Sequence, residues 1–451
     1  MDHLKSGFGI TYEEHFACKR QDGRYVSTMA AFMARLRDMK PELSLPEHLD
    51  AETFSAWQQA VKEKLLQQLN MPAATPQPAP VRLSSQQRDG YRAEKWEFYP
   101  DEYSAVPFFV LIPDGASPEN KVPGVMCYLG SNANKEFVCN EPQLDHPNCQ
   151  GGKYPERNRM GLCMVQNGMA AFVFDNPGIG ECSILTPPEH GSTQMYTRTV
   201  LVHGLLDAGM GYVGLTVFQR LQFLKWLDCF PFLDQSRLGI SSHSLGTEAA
   251  IGVGLLDERI KAIVFNDFLH DDRRRYTAIT EQTEPDRVKL SQDIGNWHII
   301  PGKMSTYGYQ DLCAAFAPRH LSLNEGGSFE LTETVRRAYR FCGAEENLQV
   351  NYYPAFTDPA SRTKNENMPT YGLTSSEYYK DYSYVIVSDH SFRQQPALRP
   401  LKQAFHSIPP ESHAFLTPKL QGRTTEFLKS NSFPVDLSIS DHNFPPNSGG
   451  F

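Results

Sequence analysis

The hydrophobic pattern changes character near residue 80. Before it, apolar residues recur every three or four positions. "VSTMAAFMARLRDM" (26–39) and "DAETFSAWQQAVKEKLLQQL" (50–69) therefore predict helices, the second opened by Asp50 as a cap. "NMPAATPQPAPV" (70–81) holds four prolines and predicts an extended connection. "YRAEKWEFYP" and "AVPFFVLIPDG" then predict two antiparallel strands joined by a turn. From about 121 short apolar runs ("VPGVMCYL", "MAAFVFD", "RLGIS", "IKAIVFND", "HLSLNE", "LQVNYYP") are separated by helical patterns such as "GLTVFQRLQFLKWLDCF" and "TETVRRAYRFCG". That alternation predicts an α/β fold with a mostly parallel sheet, doubly wound, and helices on both faces. In such sheets the chemistry gathers at the carboxyl ends of the strands.

One strand-to-helix junction stands out. "RLGIS" runs into "SHSLG" and then into the helical "TEAAIGVGLL". Ser242, His243, Ser244, Leu245 and Gly246 form a small-x-Ser-x-Gly turn, with Ser242 where glycine is usual. The turn is too tight for large residues two before and two after the serine. It exposes the Ser244 hydroxyl and points the following helix N-terminus at it, so the Leu245 N–H can help hold a developing oxyanion. Ser244 is the candidate nucleophile.

Together with "GLCMVQNGMAAFVFDNPGIGECS" and "LTVFQRLQFLKWLDCFPFLDQSRLGISSHSLG", this turn resembles the α/β-hydrolase superfamily, in its dienelactone-hydrolase-like and acetyl-xylan-esterase-like branch, over about residues 90 to 430. The resemblance implies a serine esterase that works through an acyl-enzyme, with nucleophile, acid and histidine in that chain order. It places the second oxyanion donor in "YLGSNANKE" (128–136), where the N–H of Ser131 or Asn132 is the candidate and Leu129 replaces the usual histidine. The acid is expected after "HLSLNE", where the family's aspartate is missing. Glu330 is the first choice, Glu325 the second, and Asp267 after "AIVFND" the third. Two H-x-F sites offer the histidine. His413 precedes a predicted helix with Thr417 as cap and Pro418 at its first position, and is preferred to His390 in "VIVSDHSF". Both come late, so 355–411 is expected to be an inserted, lid-like segment within a hydrolase domain of 76–430. Residues 1–75 form a helical extension and 431–451 a tail.

Composition narrows the partners. Among 451 residues 40% are hydrophobic and 21% charged, with a net charge of -9. An acidic chain whose one basic triplet is "RRRY" (273–276), expected to be a solvated helix face, argues against nucleic acid. No apolar window is long enough to span a membrane. The start lacks a signal pattern, so a cytoplasmic location is expected unless an export signal has been removed. Nine scattered cysteines without C-x-x-C suit free thiols. Cys139, His146 and Cys149 lack a second ligand pair for zinc, and neither metal nor cofactor is expected. The expected partner is a small-molecule or carbohydrate ester, with self-association possible. Tyrosines crowd 352–384 and could stack on sugar rings or pack the insertion. The resemblance favours removal of a small acyl group from a sugar. The alternatives are a general carboxylesterase, a serine peptidase or an inactive binding protein on the same fold.

Overall fold

The computed structural model describes residues 21–131, 133–142, 156–183, 193–278, 280–284, 287–290, 295–363 and 373–406. Its centre is a nine-stranded sheet. The strands are β1 (Val81–Arg88), β2 (Tyr91–Phe98), β3 (Val106–Pro113), β4 (Val122–Tyr128), β5 (Ala170–Phe174), β6 (Leu233–His243), β7 (Ile260–Asn266), β8 (His320–Leu323) and β9 (Leu348–Val350). Their order is β1-β2-β3-β5-β4-β6-β7-β8-β9. β1, β2 and β3 form an antiparallel meander, with β2 and β3 in unbroken register from Tyr91 opposite Pro113 to Phe98 opposite Val106. β3 joins β5 antiparallel, and from β5 onward every neighbour is parallel. Strands such as "AAFVF" and "IKAIVFN" are buried almost throughout because helices cover both faces of the sheet. The polar "VRLSSQQR" pattern gave no sign of β1. It is the edge strand and most of its residues are exposed, so nothing forces an alternation.

The helices used below are α1 (Thr28–Asp38), α2 (Ala51–Leu69), α3 (Tyr212–Phe223), α4 (Gly246–Leu256), α5 (Asp272–Ala278), α6 (Phe329–Phe341) and α7 (Gln394–His406). Ser27 and Asp50 cap α1 and α2 through side-chain bonds to the N–H groups of Ala30 and Thr53. The apolar stripe Phe54, Trp57, Val61, Leu65 and Leu69 buries α2 in the main core. α2 crosses α3 so closely that a Cβ on Gly214 would lie 2.1 Å from the Leu69 carbonyl oxygen. The N-terminal helices are therefore part of the domain's packing. Under the sheet, Phe98, Phe108, Phe174 and Phe223 pack mainly edge to face, with centroids 4.7–5.8 Å apart apart from the stacked pair Phe108–Phe174.

The chain's last described helix corrects the expected layout. α7 lies inside the segment taken for an insertion, yet it packs on β6, β7 and β8 through Leu398, Leu401, Ala404 and Phe405. A Cβ on Gly239 would meet Leu401 at 2.6 Å, so the contact is intimate. Pro396 and Pro400 hid this helix from the pattern. Pro396 stands in the first turn, where no intrahelical bond is lost, and Pro400 lies inside. α7 is thus part of the packing on the sheet. The tyrosine-rich stretch before it is the rest of the expected insertion. It is held by a small core of its own, Tyr353, Phe356, Tyr378, Tyr382, Tyr384 and Val385, so most of the tyrosines pack the segment. The helix expected after His413 lies outside the described residues.

Candidate active site

Ser244 follows the last residue of β6 and sits in the left-handed region at φ 51°, a strained position for serine. Several contacts hold it there. Its N–H donates to the Asn266 carbonyl (3.1 Å), and its own carbonyl accepts from the Thr247 N–H (2.9 Å) and hydroxyl (2.7 Å). Gly246 lies where a Cβ would be 2.4 Å from the Tyr128 carbonyl oxygen, so only glycine lets the turn pass β4. The Ser242 hydroxyl donates to the Val264 carbonyl (2.6 Å), which suits the serine where glycine is usual. Leu245 caps α4, and the N–H groups of a first helical turn have no intrahelical acceptor.

The loop after β4 is braced from beneath. Asn176 donates to the carbonyls of Leu129 (2.8 Å) and Gly130 (3.4 Å), and the Arg198 guanidinium donates to the Ser131 carbonyl (3.1 Å). Asp175, in the "DNPGIGE" loop, accepts from the Lys135 N–H (2.7 Å) and ammonium (2.8 Å). Ser131 faces the same cavity as Ser244. Asn132, the alternative donor, lies outside the described residues.

Of the expected acids and histidines, the structure brings Glu325 and His390 together. Glu325 leaves the end of β8 fully buried. Its Oε1 accepts from Asn266 (2.7 Å), while its Oε2 accepts from the Tyr353 hydroxyl and lies 2.9 Å from His390 Nδ1. Asn266 also donates to the Ser391 carbonyl (3.0 Å) and accepts from the Arg393 N–H (2.7 Å), so one amide fixes both the carboxylate and the loop carrying the histidine. The His243 ring, next to Ser244 in the chain, lies against the His390 ring at 4.9 Å between centroids. Burial alone would lower the His390 pKa. The Glu325 charge and hydrogen bond, helped by Asp267, outweigh it, and the imidazolium is pushed up to about 9. His243 moves the other way, well below the ordinary histidine range, because it is buried and faces the His390 charge.

The other expected residues fall elsewhere. Glu330 stands in the first turn of α6, exposed and beside Tyr382, because the helix begins at Phe329 and carries the next side chain outward. Asp267 lines the cavity but accepts from the Phe268 N–H (2.9 Å). Burial raises its pKa and the neighbouring Glu325 adds to that, so the structure pairs Glu325 with the histidine. His413 lies outside the described residues. His146 and Cys149 do too.

Ser244, His390 and Asp267 open into a cavity of about 540 Å³, within the range of small-molecule sites. Its wall includes residues that sequence reasoning passed over. Phe32, Leu36 and Met39 come from α1 and its end, Tyr379 from the tyrosine-rich segment, and Trp297 and His298 from a turn before residue 300. His298 Nδ1 lies 2.7 Å from Glu248 Oε1 on α4, and His270 Nε2 lies 2.9 Å from Asp272 Oδ1, two further histidine–carboxylate pairs. The basic triplet is not a solvated face: Arg275 is buried and lines this cavity. Only the helical spacing of "RRRY" could have hinted that one of the three arginines points inward.

The model of the Abhydrolase family matches residues 11–403. Among solved structures, the chain is similar to a protein of Bacteroides fragilis NCTC 9343 that carries the provisional description acetyl xylan esterase. The two share 31% identity over 86% of this chain and 97% of that one, with a TM-score of 0.78. It is similar at greater distance to a glucuronoyl esterase from Solibacter usitatus (15% identity, 81% and 96% coverage, TM-score 0.46). A further distant similarity is to acetyl xylan esterase 1 from Thermoanaerobacterium sp. (16% identity, 71% and 90% coverage, TM-score 0.38). Among curated proteins, none matches the chain.

Proposed function

Since the chain belongs to the Abhydrolase family, we propose that it is a serine esterase that removes a small acyl group, acetyl foremost, from a carbohydrate. The observation that carries the reading is the meeting of a strained, braced Ser244 with His390 in one cavity, the histidine backed by the fully buried Glu325. The sugar comes from the Bacteroides fragilis relative, whose provisional description names an acetyl xylan ester as substrate.

The chemistry follows from the donors and acceptors. Glu325 accepts from His390 Nδ1, so the ring's Nε2 is left to take a proton. Ser244 Oγ forms a bond to the ester carbonyl carbon while its proton passes to Nε2. The carbonyl oxygen gains the charge, and the N–H groups of Leu245 and Ser131 receive it. Collapse breaks the bond to the sugar oxygen, which leaves with the proton from His390. Water, deprotonated by the same ring, then releases acetate and restores Ser244. Trp297 and Tyr379 on the wall offer flat apolar surface for a sugar ring.

The test is acetate release from acetylated xylo-oligosaccharides and turnover of p-nitrophenyl acetate by the native protein and by Ser244→Ala. Both reactions are expected, and both are expected to vanish in the variant. A native protein that hydrolyses neither would overturn the esterase reading. One that hydrolyses only the p-nitrophenyl ester would overturn the sugar.

A further inference from the structure

One end of the Ser244 cavity carries two cationic side chains, and among the described residues only one of them is paired with a carboxylate. Arg275 on α5 and Lys303 both line the cavity, at 8% and 7% exposure. Lys303 is accounted for: its ammonium lies 2.5 Å from Asp272 Oδ2, and the other Asp272 oxygen lies 2.9 Å from His270 Nε2. Burial opposes ionisation of Asp272, but Lys303 and His270 more than offset it and hold the carboxyl well below its usual range. Asp272 is thus a carboxylate already engaged on both oxygens.

Arg275 is different. In the triplet, Arg273 pairs with Asp271 (3.1 Å) and Arg274 lies over the Tyr382 ring at 4.5 Å. Arg275 itself has His270 Nε2 at 3.4 Å and the face of Tyr379 at 5.2 Å. No carboxylate pairs with it among the described residues, and its Nε is buried without a hydrogen-bond partner. A buried guanidinium is costly unless an anion meets it, and its flat fork of N–H donors suits a carboxylate. The cavity's other carboxylates do not serve: Glu248 holds His298, and Asp267 accepts from Phe268.

We infer that the Arg275–Lys303 end of the cavity binds a free carboxylate on the sugar, so that the preferred substrate is an acetylated uronic acid rather than an acetylated neutral sugar. The inference rests on the esterase reading above and goes beyond it. A single negative charge matches the one guanidinium that lines the cavity without a carboxylate partner among the described residues. A phosphate, nearly twice as charged, would also face Glu248, Asp267 and Asp272 across the same cavity and is disfavoured.

The experiment compares kcat/KM for acetate release from three monoacetylated methyl glycosides: the glucuronoside, the glucoside and the glucoside 6-phosphate. Each is measured with the native protein, Arg275→Gln and Arg275→Lys, after thermal unfolding has shown each variant folded. Charge-assisted recognition predicts a native preference of about tenfold or more for the glucuronoside over the glucoside. The preference should fall towards unity in Arg275→Gln, mainly through KM, and be largely kept in Arg275→Lys. Equal rates on glucuronoside and glucoside would overturn the inference while leaving the esterase reading intact. So would a preference for the phosphate, or one unmoved by Arg275→Gln. A protein that turns over p-nitrophenyl acetate but none of the three glycosides would overturn it as well. Only loss of Ser244-dependent p-nitrophenyl acetate turnover would sink the reading beneath it.

Discussion

Three histidine–carboxylate pairs stand at the cavity that holds Ser244 among the described residues, His390–Glu325, His298–Glu248 and His270–Asp272, and the first two are built differently. In His390–Glu325 the carboxylate is fully buried at the end of β8 and tied by Asn266 and Tyr353, and the ring lies against His243. In His298–Glu248 the contact is no longer (2.7 Å against 2.9 Å), but Glu248 stands on the first turns of α4, and its Oε2 is buried without a partner. His298 belongs to a short turn. The lesson is that distance alone does not tell the two pairs apart. What separates them is the number of groups that fix the carboxylate, because orientation of the imidazole depends on them.

That comparison can be broken or sharpened by substitution. The largest effect belongs to His390→Gln, which should lower kcat/KM for p-nitrophenyl acetate by about 10³-fold or more, whereas His298→Gln should cost less than about tenfold. Similar losses in the two would erase the distinction. Next comes Glu325→Gln, expected to cost about 10²- to 10⁴-fold in kcat, against a far smaller loss for Glu248→Gln. The pH profile sharpens the same point. His390 must be neutral to take a proton, and its pKa lies near 9, so kcat/KM should climb with pH to about 9. Glu325→Gln removes the main raising influence and should move that limb down towards the ordinary histidine range. A native limb already complete near pH 7 would contradict the coupling.

The same shift has a sign for stability. The folded pKa of His390 lies above its unfolded value, so its pairing with Glu325 stabilises the fold fully below the ordinary histidine pKa. That contribution is lost as pH rises through about 9. Urea titrations at intervals between pH 6 and 10 should show the native protein losing more stability than His390→Gln over that window. Within the His390–Glu325 pair the smallest effect is expected from Tyr353→Phe, which removes one of three bonds to the Glu325 carboxylate. A charge-assisted bond of about 1.5–3 kcal/mol suggests a loss of about 10- to 150-fold in kcat with the fold retained.

How much of this could be read beforehand varied with how local each signal was. Ser244 was legible because the elbow is written in five consecutive residues and flanked by a strand and a helix. The parallel sheet was legible because β4 to β9 are buried on both faces and so read as apolar runs. The acid was harder. Glu325 and Glu330 both follow β8, and nothing in the spacing reveals that α6 begins at Phe329 and turns Glu330 to solvent. His390 was second choice because a better-capped helix is predicted after His413, and because the late position of both histidines suggested a lid over 355–411, although α7 packs on the sheet. Asn266 and Tyr353 gave no signal at all, since their work is to meet a carboxylate from a distant part of the chain. Arg275 was misread because three arginines in a row look like a solvated face until the helix is seen against the cavity.

The central claim is that Ser244 is activated through His390. It is tested most directly by the rate at which a p-nitrophenyl alkylphosphonate labels the protein, with the labelled residue located by peptide mass. The account predicts one phosphonyl group on Ser244, added about 10³-fold more slowly in His390→Gln and within tenfold of the native rate in His298→Gln. Labelling of His390→Gln at the native rate, or a label on any residue but Ser244, would contradict it.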